Sequence, residues 1–350
     1  MDKNLIAMLP DVLLPWYDVN KRNLPWRKDR EPYHVWLSEI MLQQTRVEAV
    51  RGYYSRFLAA APSVADLANM DDSVLEKLWE GLGYYSRVRN LKKAAIQIIE
   101  AYDGRFPNSY EQVIKLPGIG DYTAGAICSI AFNAPTPAVD GNVLRVISRV
   151  TNNATPIDNP AYKKQVREQL AEIYPDRAGD FTQALMELGA TVCKPNGKPE
   201  CQHCPCKEFC VAKQLGTELE LPVRTLKKGR RVEELTVLIL ECDGDMALER
   251  RPHKGLLADM WQFPNVPGIH SAEVVLAHLE QSGIKTQDIM LQVERKHVFT
   301  HVEWRMRGVY VRVSDKNEHY TWLSMEQIKK EAALPTAFRM FLQELEKLND

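Results

Sequence analysis

No stretch of eighteen consecutive apolar residues occurs among these 350 residues, so a membrane-spanning helix is not expected. The opening residues Met1 to Pro10 offer neither a basic leader nor an apolar core of signal-peptide length, and the expectation is a cytoplasmic protein. Internal repeats and low-complexity segments are missing as well, which sets aside solenoid arrays and disordered tails. Net charge is nearly absent, −1 overall, but it is unevenly spread. Residues 1–231 hold 31 Lys+Arg against 27 Asp+Glu, a balance of +4, while residues 232–350 hold 14 against 19, a balance of −5. A half that is so weakly basic would have to meet nucleic acid through local groups. Candidates are Arg87, Arg89, Lys92, Lys93 and the run Arg224, Lys227, Lys228, Arg230, Arg231, each of which also suits a plain solvated surface.

What is present reads as a soluble protein of two domains: 45% of residues are apolar and 26% charged, over a length that can bury two cores. From Pro32 to about Val223 the apolar residues recur at helical spacing and the breaks are turn residues, so this part reads as all-helical. Helices are expected over 71–80, 84–102, 110–115 and 122–132, then from Asn142, Pro160 and Asp180. After the basic stretch 224–231 the pattern changes. Leu235 to Leu240 is a short apolar run with β-branched residues, closed by Asp243-Gly244-Asp245 and a second strand-like run, which is a hairpin signal. Arg305 to Val313 alternates, and 324–331 and 336–348 look helical, so the C-terminal part reads as α+β behind a charged linker.

Leu116-Pro117-Gly118-Ile119-Gly120 places two glycines around one aliphatic residue between helical patterns, and Asp140 follows twenty residues after the second glycine. Such a turn leaves backbone N–H groups unhindered and able to point at a phosphate, so Gly118 and Gly120 are candidate DNA-backbone contacts. The same residues also suit a helix C-cap followed by an N-cap.

Seven cysteines without a secretion signal argue against a disulfide framework and for metal ligation, and five of them fall within eighteen residues. Cys193, Cys201, Cys204 and Cys210 follow the pattern C-x7-C-x2-C-x5-C, with Cys206 as a fifth thiol. Zinc and a cubane iron-sulfur cluster both fit four thiolates so close together. Zinc sites more often show paired C-x2-C knuckles, which favours iron.

With these segments in view the chain resembles the endonuclease III superfamily of helix-hairpin-helix DNA glycosylases, and most closely its MutY family of adenine DNA glycosylases. The matching stretches are LPWR (24–27), VWLSEIMLQQT (35–45), GLGYYSRVRNL (81–91), LPGIGDYTAGAI (116–127), VDGNVLRV (139–146) and the cysteine set. The resemblance implies a multidomain protein. An all-α helix-hairpin-helix glycosylase domain over 1–223 would contain a six-helix barrel at about 24–130 and a 4Fe-4S cluster subdomain from 1–23 and 131–223. A linker over 224–234 would lead to an α+β MutT/Nudix-like domain over 235–350. The cluster would be held by Cys193, Cys201, Cys204 and Cys210, although the family's first gap is usually one residue shorter, which puts Cys206 in question.

The resemblance also makes Glu39 the general acid, and the sequence supplies a reason. On a helical wheel Glu39 falls among Val35, Trp36 and Leu42, where burial would raise its pKa and keep it protonated near neutral pH. Asp140 reads instead as the N-cap of the following helix, where backbone N–H groups favour an anion, so it is expected to stay ionised and to stabilise positive charge on the sugar. Lyases of the superfamily carry lysine at the second position after the last hairpin glycine. Here Tyr122 occupies it, cannot form a Schiff base, and implies a monofunctional glycosylase with Tyr122 hydrogen-bonding near Asp140. Asn142 matches a residue that orders the same site.

Further matches are residues that probe or wedge into the duplex, Leu42, Gln43, Gln44 and Tyr84, and Arg27 near the flipped adenine. The C-terminal domain lacks the glutamate-rich hydrolase signature and so offers no magnesium site for pyrophosphate chemistry. In relatives a Phe-Ser-His loop of this domain reads 8-oxoguanine, and Phe299-Thr300-His301 occupies that place. The expected reaction is hydrolytic removal of adenine from A:8-oxoguanine or A:G mispairs in double-stranded DNA, by a monomer, with room for replication or repair partners that no motif names. Rival readings are a pyrimidine or thymine-mismatch glycosylase on the same fold and a non-catalytic iron-sulfur DNA-binding protein.

Overall fold

Short polar caps and glycine turns cut the apolar periodicity of the first 225 residues into helices. The computed structural model describes residues 3–225 and 229–349; Lys227 and Lys228 of the basic run lie outside them. The helices are α1 (Lys3–Ala7), α2 (Leu9–Asn20), α3 (Pro32–Leu42), α4 (Val47–Ala60), α5 (Val64–Asn69), α6 (Asp72–Leu78), α7 (Ser86–Tyr102), α8 (Tyr110–Val113), α9 (Asp121–Phe132), α10 (Gly141–Val150), α11 (Pro160–Ala171), α12 (Ala178–Thr191) and α13 (Val211–Leu215). Asp71, Asp140 and Asn159 each accept a backbone N–H at the start of α6, α10 and α11, which satisfies donors a helix cannot pair internally. Two short one-turn segments, Pro25–Arg27 and Cys201–His203, complete this part.

The chain divides into one compact unit of Met1–Asn69 with Arg89–Leu226 and a second of Met70–Val88 with Lys227–Asp350. In the first unit α10 is a central element, with every residue from Val143 to Val150 buried, its charged Arg145 and Arg149 included. Leu9, Leu13 and Tyr17 of α2, Val166 and Leu170 of α11, and Phe181, Leu185 and Leu188 of α12 pack into the same core. Burial of that many large side chains, each contributing roughly 1.5–3 kcal/mol, makes this a major source of the unit's stability.

The second unit is built on a sheet whose main path takes its strands, numbered in chain order, as third, second, first, sixth and fifth, with the fourth beside the first and the seventh beside the second. Its strands are β1 (Arg231–Cys242), β2 (Asp245–Arg250), β3 (Trp261–Gln262), β4 (Asn265–Pro267), β5 (Thr286–Val298), β6 (Val302–Val313) and β7 (Thr321–Ser324), and its helices α14 (Ala272–Gln281), α15 (Met325–Glu331) and α16 (Thr336–Asn349). β1 and β6 are parallel, with Leu235 opposite Met306 and Ile239 opposite Tyr310. Alternation sends Val237 and Ile239 to a face covered by Phe338, Phe341 and Leu345 of α16. Leu238 and Leu240 go to the other face, under Val275 and Leu279 of α14. β1 starts four residues earlier than its apolar run, inside the stretch read as linker, because Arg231 to Glu234 continue the ladder against Val302 to Arg305. Backbone pairing there does not depend on apolar side chains. Among the described residues no helix is long and apolar enough to cross a membrane.

Candidate active site

Several elements of the first unit converge on one cavity of about 200 Å³, α12 among them with Gln183, Met186, Glu187 and Ala190. α3 supplies Val35, Ser38, Glu39 and Leu42, the start of α9 supplies Tyr122, and the start of α10 supplies Asp140 and Asn142. Arg27, from the one-turn segment before α3, lines it too. Arg27, Glu39, Leu42, Tyr122, Asp140 and Asn142, all singled out from the sequence, thus meet where α3 packs on α9 and α9 hands over to α10.

Glu39 is 6% exposed. Burial lifts its pKa from the usual carboxylate range to about 7, against the pull of a hydrogen bond from Tyr122, while the Asp140 charge pushes it further up. The Tyr122 hydroxyl donates to Glu39 Oε2 at 2.6 Å. Family resemblance has Tyr122 hydrogen-bonding near Asp140; the register of α9 against α3 gives it Glu39 as partner, in the cavity that Asp140 also lines.

Asp140 is the N-cap of α10 that the sequence suggests, in drier surroundings than a surface cap. Its carboxyl is desolvated too, and burial raises its pKa from the usual aspartate range. What distinguishes the two acids is the count of donors. Asp140 accepts from the Val143 backbone N–H at 2.8 Å and from Asn142 Nδ2 at 2.6 Å, which opposes the effect of burial and favours the carboxylate. A carboxyl that holds its proton near neutral pH beside a carboxylate held by amide donors can protonate a leaving nitrogen and stabilise a cation in one step.

Glu187 escapes a reading of the sequence. It sits in apolar α12 with its side chain fully buried, and it accepts from Arg22 Nε at 2.6 Å, Arg22 Nη2 at 3.0 Å and Arg27 Nη2 at 2.8 Å. Burial alone would push its pKa up; the two guanidiniums reverse this and leave it below the usual range. A lone glutamate among apolar helical residues is the available signal, but its partners lie 160 and 165 residues away.

Other sequence-derived residues lie around or apart from this cavity. Gln43 reaches Thr123 Oγ1 at 3.4 Å, and Gln44 is exposed with φ 57° just past α3. Gly118 has φ +76° and a Cβ there would lie 2.7 Å from the Asn90 Cβ, so only glycine makes this turn; Gly120 is the N-cap of α9. Tyr84 and Phe299-Thr300-His301 belong to the second unit. There Phe299 packs edge-on against Trp304 at 4.9 Å, the turn leaves Thr300 and His301 exposed, and the hydroxyls of Tyr84 and Thr300 are 2.6 Å apart.

Cys193, Cys201, Cys204, Cys206 and Cys210 line a second cavity, walled by Val146, Val150 and Leu188. Among the described residues no three Cys, His, Asp or Glu groups stand close enough to hold a single metal ion. Arg149 Nη1 donates to Cys193 Sγ at 3.2 Å, and Arg145 links the Cys193 carbonyl at 2.7 Å to Asn142 Oδ1 at 2.8 Å, so the cysteine loop and Asp140 share one hydrogen-bonded chain.

Residues 37–176 match the HhH-GPD superfamily of base excision DNA repair proteins, and residues 235–344 match the NUDIX domain family. Adenine DNA glycosylase of Rattus norvegicus is 35% identical, over 93% of this chain and 76% of that protein. Its counterpart in Buchnera aphidicola subsp. Baizongia pistaciae is 32% identical over 96% of both. With the Arabidopsis thaliana adenine DNA glycosylase the identity is 37% over 85% of this chain, which spans 56% of that longer protein. Among solved structures, a thermostable thymine-DNA glycosylase aligns with TM-score 0.55 at 27% identity, covering 61% of this chain and 98% of its own. An endonuclease III–DNA complex aligns with TM-score 0.53 at 23% identity, covering 62% and 98%, which shows the shared fold. The chain belongs to the adenine DNA glycosylases, hydrolases of the helix-hairpin-helix base excision repair superfamily that cleave an N-glycosidic bond.

Proposed function

We propose that this enzyme removes adenine mispaired with 8-oxoguanine or guanine in double-stranded DNA, with Glu39 as proton donor and Asp140 as the anion that stabilises the sugar cation. The observation that carries this reading is the pair of desolvated acids in one cavity, one held near pKa 7 and the other held by amide donors. Protonating the adenine ring makes it a better leaving group, and the negative charge of Asp140 lowers the energy of the oxocarbenium-like sugar. Water then completes hydrolysis. Tyr122 steers the Glu39 carboxyl through Oε2, leaving Oε1 to carry the proton. No amine stands in the Tyr122 position, so the strand is left intact.

Tyr84, Gln43, Gln44 and Leu42 are assigned to opening the duplex, Arg27 to the flipped base, Gly118 and Gly120 to the backbone, and Phe299, Thr300 and His301 to the base opposite the adenine. Cys193, Cys201, Cys204 and Cys210 are assigned to a 4Fe-4S cluster; their shared cavity and soft thiolate donors support this. Such a group would cross-link the loop over 193–210 and present it to DNA.

The test is release of free adenine from A:8-oxoguanine and A:G duplexes. Parent enzyme is expected to release adenine and leave the strand unbroken, and Glu39→Gln to abolish release while still binding the duplex. Release at the parental rate by Glu39→Gln contradicts the role of Glu39. Thymine release from a G:T duplex in place of adenine would favour the reading suggested by the thymine-DNA glycosylase neighbour.

A further inference from the structure

The segment Met70–Val88 is tied to the C-terminal helices by specific polar contacts. Lys77 Nζ donates to the Ile328 carbonyl at 3.3 Å and the Ala332 carbonyl at 3.1 Å, at the C-terminal end of α15, where backbone acceptors outnumber donors and a cation is favoured. Glu80 Oε1 accepts the Leu334 backbone N–H at 3.1 Å, and its other oxygen lies 2.8 Å from Lys77 Nζ. Both side chains are mostly buried, 22% and 15% exposed, so these are not solvent-screened surface pairs. Next to them Arg250 Nη1 meets Glu76 Oε2 at 3.3 Å.

From this anchor the chain makes a closed loop. Gly81, Gly83 and Tyr84 all have positive φ, at 96°, 69° and 49°. The Arg87 guanidinium lies 5.3 Å from the Trp79 ring and 5.5 Å from the Tyr84 ring, and donates to the Leu82 and Gly83 carbonyls at 2.9 and 3.0 Å. Trp79 Nε1 closes the loop onto the Gly83 carbonyl at 3.1 Å. These bonds tie Trp79, Leu82, Gly83 and Arg87 into one closed block. One end of that block is fixed by Lys77 and Glu80, and the other presents Tyr84 with its hydroxyl 2.6 Å from Thr300 Oγ1.

We propose that Lys77 and Glu80 are positioning residues for mispair discrimination: by docking the 79–87 loop at the α15–α16 junction they preassemble Tyr84 with Thr300, so that 8-oxoguanine meets both as one surface. The inference rests on the assignment of Tyr84 and Thr300 to DNA recognition given above. Preassembly matters because a recognition pair that must first be ordered loses part of its binding free energy to that ordering.

The experiment compares single-turnover adenine release from A:8-oxoguanine and A:G duplexes for the full-length parent, Lys77→Met, Glu80→Gln and Lys77→Arg, with thermal unfolding of each. The parent is expected to favour the 8-oxoguanine duplex. Lys77→Met and Glu80→Gln are expected to shrink that preference about fivefold, through the 8-oxoguanine rate alone. Lys77→Arg, which can still donate to both carbonyls, is expected to keep the parental preference. A preference unchanged in both variants overturns the proposal, as does an equal loss on both duplexes with a lowered Tm, which would mark a merely structural contact. A parent enzyme without preference overturns the recognition reading itself, and this proposal with it, and is told apart by the parent arm alone.

Discussion

The Tyr122 hydroxyl and the Glu39 carboxyl share a 2.6 Å hydrogen bond between α9 and α3, with Tyr122 as donor. The bond works against burial, which holds Glu39 near pKa 7. Tyr122→Phe removes a donor to the carboxylate, so the pKa of Glu39 rises and the protonated form survives to higher pH. The basic limb of the adenine-release profile is then expected to move to higher pH, while the rate at neutral pH falls about fivefold because the carboxyl is no longer oriented. A pH series of single-turnover rates checks this; a limb that stays in place or moves to lower pH contradicts it.

Asn142 holds the other acid. Its Nδ2 donates to Asp140 Oδ2 at 2.6 Å, and Asn142→Ala removes that support for the charged form. In the proposed mechanism Asp140 acts as an anion and loses that role as pH falls through its folded pKa, so a raised pKa brings the acid limb of the rate profile toward neutrality. The expected cost at neutral pH is about tenfold, the worth of one hydrogen bond to a charged group. Equal acid limbs in the two proteins would show that Asn142 does not support the Asp140 charge.

Glu187→Gln is a stability prediction. It leaves Arg22 and Arg27 facing a neutral amide in place of the carboxylate they both bond. Because Arg22 is one-third exposed, the cost is set below that of a fully buried broken pair, at about 2–3 kcal/mol, and appears as a Tm several degrees lower. Its pH dependence has a definite sign. The folded pKa of Glu187 is lowered, so its contribution is complete above the unfolded value of about 4.3 and fades as pH falls through the folded one. The gap between parent and variant must therefore narrow in acid; a gap that widens there contradicts the assignment.

How much of this is legible in the sequence follows from the range of each interaction. Glu39 is, because Val35 and Trp36, one helical turn before it, are buried with it. The capping role of Asp140 is too, since a cap is a contact over three residues. Its desolvation, the partner of Tyr122 and the Arg22–Glu187–Arg27 cluster are not, since each depends on how helices far apart in the chain pack. Residues 70–88 show the same limit at larger scale: their helical pattern groups them with the first half, but Lys77 and Glu80 bond backbone groups some 250 residues away.

Gly308 of β6 has Phe341 seated on it, and a Cβ there would lie 2.6 Å from the phenyl ring. Gly308→Ala is expected to cost about 2 kcal/mol by overpacking. Adding Phe341→Leu should recover part of it, so a double-mutant cycle in urea unfolding must come out non-additive. Strict additivity would place the strain elsewhere.

The cysteine cavity yields an analytical prediction. Freshly purified protein is expected to contain iron and sulfide with a broad visible absorption band, and Cys201→Ser to lose both and to melt at lower temperature, because binding such a group contributes to folding. Cys206→Val is expected to keep the iron. Stoichiometric zinc without iron contradicts the cluster assignment.

The proposed mechanism requires Glu39 to keep its proton where an exposed glutamate would have lost it. Carbon-detected NMR titration of the Glu39 carboxyl in the free enzyme measures this without relying on any rate. A midpoint near 7, above that of Asp140, is the predicted result. A midpoint in the ordinary glutamate range, about 4.3, would contradict the proton-donor role on which the mechanism is built.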